Sequence, residues 1–257
     1  MDGPAWIVVP TYNEAANLEP LLAAVRANAP AARVLVVDDA SPDGTGALAD
    51  AAAARDPAIE VLHRPGKAGL GLAYVSGFAH ALRAGAGYVV EMDADLSHDP
   101  KDLPRLIERA EAGADLVLGS RYVDGGGVED WDLLRRVISR AGCRYARGVL
   151  SVGIRDLTGG FKCFRAATLA AIDFETVRSQ GYAFQVELTY RALARGLHVE
   201  EVPITFRERS AGESKMSARI ALEAMWLVPA LRLARRRDGL PEAPGSGEPG
   251  TLPIPEA

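Results

Sequence analysis

The sharpest chemistry in this sequence is Asp93-Ala94-Asp95, two carboxylates flanking a small residue directly after the apolar run 88–92, with Pro100 opening the next segment. Paired carboxylates of this kind suit a hard divalent cation, which prefers oxygen ligands and keeps positions open for phosphate oxygens. Such a cation would neutralise charge developing on a departing diphosphate. Other apolar runs also end in polar residues that a sheet interior would not hold. Residues 6–9 lead into Pro10-Thr11-Tyr12-Asn13-Glu14, and residues 34–37 into Asp38-Asp39-Ala40-Ser41-Pro42-Asp43-Gly44. Residues 115–118 lead into Gly119-Ser120-Arg121-Tyr122. Singly, each has a plain structural use: Asn13 can cap a helix, and Ser41-Pro42-Asp43-Gly44 makes a good turn. Together they are better explained as one polar rim where carboxylates meet a sugar, a base and a metal. His98 lies just beyond the acidic pair, although a lone histidine after a turn is more often a packing or surface residue.

The second half of the chain supplies cations: Arg121, Arg135, Arg136, Arg140, Arg207, Arg209 and Lys215 stand near glycine-rich turns or at the ends of expected elements. Any one alone is usually a solvated charge. The stretch from Phe206 through Arg207, Arg209, Gly212 and Lys215 differs, because a flexible cationic loop after a strand can close over phosphates. Familiar nucleotide motifs fail. Gly66-Lys67 has Val61 where a phosphate-binding P-loop needs glycine, and Ala68 where it needs Ser or Thr. A dinucleotide fingerprint starting at Gly69 would need glycine where Tyr74 stands, and no G-x-S-x-G elbow occurs. The glycine run at residues 66–71 instead lets a loop approach a nucleotide before a helix begins.

These residues must be positioned by alternating elements. Residues 6–9, 34–37, 59–63, 88–92 and 115–118 have the apolar, β-branched character of strands buried on both faces. Residues 14–27, 44–54, 70–84 and 101–112 have helical period between them. That alternation predicts an α/β fold with a mostly parallel central sheet and helices on both faces, and ligands at the carboxyl ends of the strands. Further on, residues 131–150 and 184–195 read as helices and residues 199–206 as one late strand. Residues 217–237 form an amphipathic segment ending in Arg235-Arg236-Arg237, suited to a headgroup region or to packing on the sheet. The expected organisation is a single catalytic domain over residues 1–237 and a disordered Pro/Gly-rich tail over residues 238–257.

Composition narrows the class. A net charge of −5 over 257 residues argues against a general nucleic-acid binder. The two cysteines lack CxxC spacing and histidine partners, as inert thiols in a reducing compartment would. The N-terminus enters Trp6-Ile7-Val8-Val9 without a basic leader, and no stretch reaches the roughly 18 uncharged apolar residues of a spanning helix. A cytoplasmic protein is expected, associated peripherally with the cytoplasmic face of a membrane.

These motifs, with Thr158-Gly159-Gly160-Phe161-Lys162, Gly181-Tyr182-Ala183-Phe184-Gln185-Val186-Glu187 and Gly212-Glu213-Ser214-Lys215-Met216, closely resemble the polyprenyl-phosphate (dolichyl-phosphate) mannose synthases of glycosyltransferase family 2. The resemblance runs from Trp6 to about Ala234. It implies a GT-A fold and transfer of mannose from GDP-mannose to a polyprenyl phosphate with inversion, assisted by Mg²⁺ or Mn²⁺. By the match, Pro10, Tyr12, Glu14 and Asp39 hold the nucleoside with Asp38 nearby, and Asp93, Ala94 and Asp95 serve metal and diphosphate. Arg121 and Arg135 match acceptor-phosphate residues, and Arg209 and Lys215 match donor-diphosphate residues on a mobile loop. Some relatives carry Gln as a further metal ligand where this chain has Ser97. Many also carry transmembrane helices after the catalytic domain, so this chain resembles a compact subclass that uses the membrane peripherally or through a partner membrane protein. Two other readings share the same carboxylates: a UDP-glucose polyprenyl-phosphate glucosyltransferase, and a nucleotide-sugar binding module without turnover.

Overall fold

The computed structural model describes residues 3–177, 179–207, 226 and 228–233. In chain order the elements are β1 (Ala5–Thr11), α1 (Ala15–Asn28), β2 (Arg33–Asp38), α2 (Thr45–Arg55), β3 (Ile59–His63), α3 (Leu70–Arg83) and β4 (Tyr88–Glu91). A 3-10 turn at Pro100–Asp102 leads into α4 (Leu103–Glu111), followed by β5 (Leu116–Ser120), β6 (Gly127–Val128) and α5 (Leu133–Leu150). Then come β7 (Lys162–Arg165), α6 (Ala166–Ala171), a second 3-10 turn, α7 (Gly181–Ala194), β8 (Val199–Pro203) and β9 (Thr205–Phe206).

The central sheet has the order β3-β2-β1-β4-β7-β5-β8, and β6 pairs with β9 in a small separate ribbon. β1, β2, β3 and β4 are mutually parallel, as are β5 and β8, while β7 runs antiparallel between β4 and β5. The continuous apolar runs of β1 and β2 follow from burial on both faces. Ile7, Val9, Val34 and Val36 pack into a core with Leu18 and Leu21 of α1 and Leu103 and Leu106 of α4. Their alternates Trp6, Val8, Leu35 and Val37 pack into a second core with Tyr74 and Phe78 of α3 and Phe184 of α7. Period-two alternation inside an unbroken apolar stretch is what an interior parallel strand requires. At the α3–β1 contact Gly77 is obligatory, since a Cβ there would stand 2.4 Å from Val8 Cγ1.

The structure corrects the expected elements in the second half. β7 is short, with a lysine at one end and an arginine at the other, so its pattern carries no strand signal. Only its neighbours make it one. The expected late strand 199–206 splits in two at Ile204. Pro203 has no amide to continue the ladder, and the Ile204 amide bonds the Ser120 carbonyl at 3.0 Å as the chain leaves the sheet. α5 starts at Leu133 rather than Trp131, because Asp132 caps it by accepting from the Arg135 amide. α7 starts at Gly181, a turn earlier than expected. The 217–237 segment lies largely outside the described residues. Within it, helical residues 228–233 sit against the domain: Val228 is buried in the second core, and Arg232 donates to the Val149 carbonyl at 2.6 Å. Among the described residues no helix is long and apolar enough to cross a membrane. Cys143 and Cys163 are free and buried.

Candidate active site

Four parallel strands deliver their carboxyl ends to one rim, where a cavity of about 480 Å³ opens. Its first wall comes from β1: Pro10, Thr11, Tyr12 and Glu14 line it. Asn13, at a φ of 61°, turns the chain here and donates its amide to the Ser41 hydroxyl. The loop after β2 is tied to this wall through Asp38. That carboxylate is buried and accepts from the Thr11 hydroxyl at 3.0 Å, the Ser41 amide at 3.1 Å and the Ser41 hydroxyl at 2.6 Å. Asp38 therefore organises the two loops and does not line the cavity, unlike its neighbour Asp39. Asp39 pairs with Arg64 at 2.6 Å in a largely buried bridge.

The glycine run after β3 supplies a cation that motif reasoning left aside. Lys67 lies 4.1 Å from the centre of the Tyr12 ring and lines the cavity, close enough for attraction between ammonium and ring face. Gly69, at a φ of +103°, lets this loop press against Gln180, where a Cβ would meet the amide oxygen at 2.3 Å.

Asp93, Ala94 and Asp95 line the cavity from the end of β4. Each carboxylate is anchored through its Oδ1. The Tyr74 hydroxyl donates to Asp93 Oδ1 at 3.1 Å, and the Ser97 amide donates to Asp95 Oδ1 at 3.1 Å. Burial and the neighbouring Asp93 and Glu91 push the Tyr74 phenol well above its ordinary value, so it stays a donor. Among the described residues no third His, Cys, Asp or Glu joins the pair into a three-donor metal cluster. Two carboxylates at a cavity wall still fit a hard cation that takes its remaining oxygens from water and a diphosphate. Ser97 is fully buried and does not line the cavity. His98, by contrast, does line it. Its Nδ1 accepts the Asp93 amide at 3.2 Å, its ring stacks on Phe161 at 4.9 Å, and burial lowers its basicity. With Nδ1 accepting, the neutral ring carries its proton on Nε2.

Cations line the same cavity. Arg121 lines the cavity with its guanidinium held by Asp156, which accepts from Nε and from Nη2, each at 2.7 Å, and from the Arg121 amide at 3.0 Å. Burial works against charge on both partners, yet each holds the other ionised: Arg121 is raised and Asp156 lowered. Asp156 thus fixes a cavity-lining arginine, and it lacked any sequence signal beyond its place before Thr158. Arg135 lines the cavity from the first turn of α5, its guanidinium 4.3 Å from the centre of the Trp131 ring. Arg136 and Arg140 do not line it, and Arg207 is engaged with Asp99 and Glu129. Arg209 and Lys215 lie outside the described residues.

Beneath the rim a buried polar layer was also missed. Glu91 on β4 stands opposite Lys162 on β7 in the strand register, and both are fully buried. Burial drives Glu91 up to about 8 and Lys162 down to about 8, each against the pull of the other.

This arrangement gathers carboxylates, guanidinium groups and the β1 and β3–α3 loops around one cavity. Residues 6–172 match the family described as Glycosyl transferase family 2. The chain belongs to that family. It is 51% identical over 223 residues to the polyprenol monophosphomannose synthase of Mycolicibacterium smegmatis, covering 86% of this chain and 84% of that one. It is 50% identical over 233 residues to the undecaprenyl-phosphate mannosyltransferase of Micrococcus luteus, covering 91% and 96%. Among solved structures it resembles glucosyl-3-phosphoglycerate synthase from Mycobacterium tuberculosis in complex with UDP, at a TM-score of 0.65 and 19% identity, covering 94% of this chain and 82% of that one. A mannosyltransferase from Pyrobaculum calidifontis in complex with GDP-Man and Mn²⁺ aligns at a TM-score of 0.57 and 17% identity, covering 93% and 75%. The fold of this family-2 chain is the GT-A arrangement of a mostly parallel sheet between helices.

Proposed function

We propose that the chain is an inverting mannosyltransferase that moves mannose from GDP-mannose to a polyprenyl phosphate, releasing GDP and a β-mannosyl phosphate. The observation that carries this is one cavity lined by both Asp93 and Asp95 and by Arg121 and Arg135. A transferase to a phosphate must hold two anionic partners close together, and separate sets of ligands for each meet that need. The two relatives at about half identity, both named for mannosyl transfer to a lipid phosphate, support the same substrates.

In this reading Pro10, Tyr12, Glu14 and Asp39 hold the nucleoside, with Lys67 beside Tyr12. Asp93 and Asp95 would hold Mg²⁺ or Mn²⁺, which supplies Lewis-acid stabilisation of the leaving diphosphate. Arg121 and Arg135 hold the acceptor phosphate, and Arg209 and Lys215 act on the donor diphosphate. The acceptor oxygen is already anionic near neutral pH, so no strong general base is needed. A single in-line displacement at the anomeric carbon then inverts the configuration. Dipping toward a bilayer is the task of α5. Leu133 and Leu134 are 77% and 69% exposed, Val137 and Ile138 are exposed as well, and Arg136, Arg140 and Arg144 share the helix. Apolar residues beside arginines, on the helix whose Arg135 lines the cavity, fit an anionic headgroup region, where the acceptor's phosphate resides.

The test offers labelled GDP-mannose or UDP-glucose with a polyprenyl phosphate and Mg²⁺ or Mn²⁺. Labelled lipid from GDP-mannose is expected. Labelling from UDP-glucose alone supports the glucosyl reading, and nucleotide binding without labelled lipid supports a binding module.

A further inference from the structure

Lys162 is a lysine with no exposed surface, on an interior strand of the central sheet. Buried ammonium groups are costly and persist where they hold something in place. Lys162 Nζ donates to the main-chain oxygen of Gln185 at 2.7 Å and to its side-chain Oε1 at 2.7 Å. A lysine has only donors. The Gln185 amide is therefore fixed with its oxygen toward Lys162, and of the two N–H groups on its nitrogen one serves the buried Glu91 carboxylate, leaving the second for the cavity side. That nitrogen lies 3.3 Å from where a Cβ on Gly160 would stand, and His98 Cε1 lies 3.9 Å from the same point. Gly160, His98 and Gln185 all line the cavity. A side chain at position 160 would crowd the amide.

The topology tells what this amide faces. β7 lies between β4, which carries Asp93 and Asp95 at its end, and β5, which carries Arg121 at its end. Because β7 is antiparallel to both, its beginning, next to Gly160, sits at the same rim as those ends. The transferred group must occupy the space between the leaving diphosphate and the attacking phosphate. A neutral N–H donor suits a hydroxyl there, while the cations flank it for the phosphates.

We propose that Gln185 donates from its amide nitrogen to a hydroxyl of the transferred sugar, and that Lys162 is the positioning residue that orients it. This rests on the mannosyl-transfer reading above. It predicts that the pair matters for the sugar and not for the nucleotide. The experiment is calorimetric titration of GDP-mannose and of GDP, each with Mn²⁺, into the wild type, Gln185→Met and Lys162→Met. Loss of one neutral hydrogen bond is expected to weaken GDP-mannose binding by roughly 3- to 10-fold, with GDP binding held within about twofold in both variants. Equal weakening of GDP, or no change for either ligand, overturns the assignment. If Lys162→Met does not fold, Gln185→Met decides alone. If Lys162→Met folds and binds GDP-mannose normally while Gln185→Met does not, the sugar contact stands and the positioning role of Lys162 is overturned. A wild type that binds GDP but not GDP-mannose overturns the functional reading and this inference with it. A wild type that binds GDP-mannose, with variants lacking the split, overturns this inference only.

Discussion

Replacing Asp156 by Asn tests the electrostatic frame of the site most directly. In the folded chain Arg121 is 5% exposed and Asp156 fully buried, and the carboxylate accepts three hydrogen bonds from Arg121. Asp156→Asn leaves a buried guanidinium without its counter-charge, a change that costs about 3–5 kcal/mol. For a chain of this size that corresponds to a fall in Tm of roughly 6–20 °C, read by calorimetry on the metal-free protein at pH 7. The sign of the pH dependence follows from Asp156 being lowered below its ordinary value of 3.8. Its contribution is full above that value and is lost as pH falls through the lower folded value, so wild type and variant converge in strong acid. The double variant Arg121→Met/Asp156→Leu removes both charges and is expected to return to within about 1–2 kcal/mol of the wild type. It remains inactive, because Arg121 lines the cavity. A Tm for Asp156→Asn within 2 °C of the wild type at pH 7 would refute the buried-pair argument, and a double variant with wild-type transfer would remove Arg121 from the acceptor site.

Asp95→Asn is expected to fold normally and to lose on the order of a thousandfold in transfer rate; half the parental rate with Mg²⁺ would sink its metal role. Glu91, raised from 4.5 to about 8, contributes stability that is present below 4.5 and declines as pH rises toward 8, by at most about 1.4 kcal/mol per pH unit. Urea titrations of the metal-free protein across that window should show a flatter pH dependence for Glu91→Gln, and parallel curves would show that Glu91 titrates as an ordinary carboxylate. Leu134→Glu with Val137→Glu should reduce sedimentation with anionic liposomes by at least about tenfold, and undiminished binding by the folded variant would move the membrane face away from α5.

Much of the fold was legible because its signals are local. β1, β2 and β4 are unbroken apolar runs, each followed by polar residues, and an interior parallel strand needs that composition whatever surrounds it. The acidic pair at Asp93 and Asp95 and the β1 loop were legible as polar residues directly after apolar runs, whereas Arg121 and Arg135 stood out from the other cations only through the family resemblance; all of them line the one cavity. What the tertiary structure decided were partnerships between distant segments. Asp38 and Asp39 are adjacent and chemically alike, yet Thr11 and Ser41 draw one into the loop framework and leave the other on the cavity wall. Lys67 acquires a place only when its loop folds over Tyr12. β7 is a strand only because β4 and β5 leave a gap for it, and that insertion sets Lys162 opposite Glu91 and beneath Gln185. Burial turns those polar side chains from surface groups into fixed ones, and burial is a property of packing, which residue type and spacing along the chain do not encode one segment at a time.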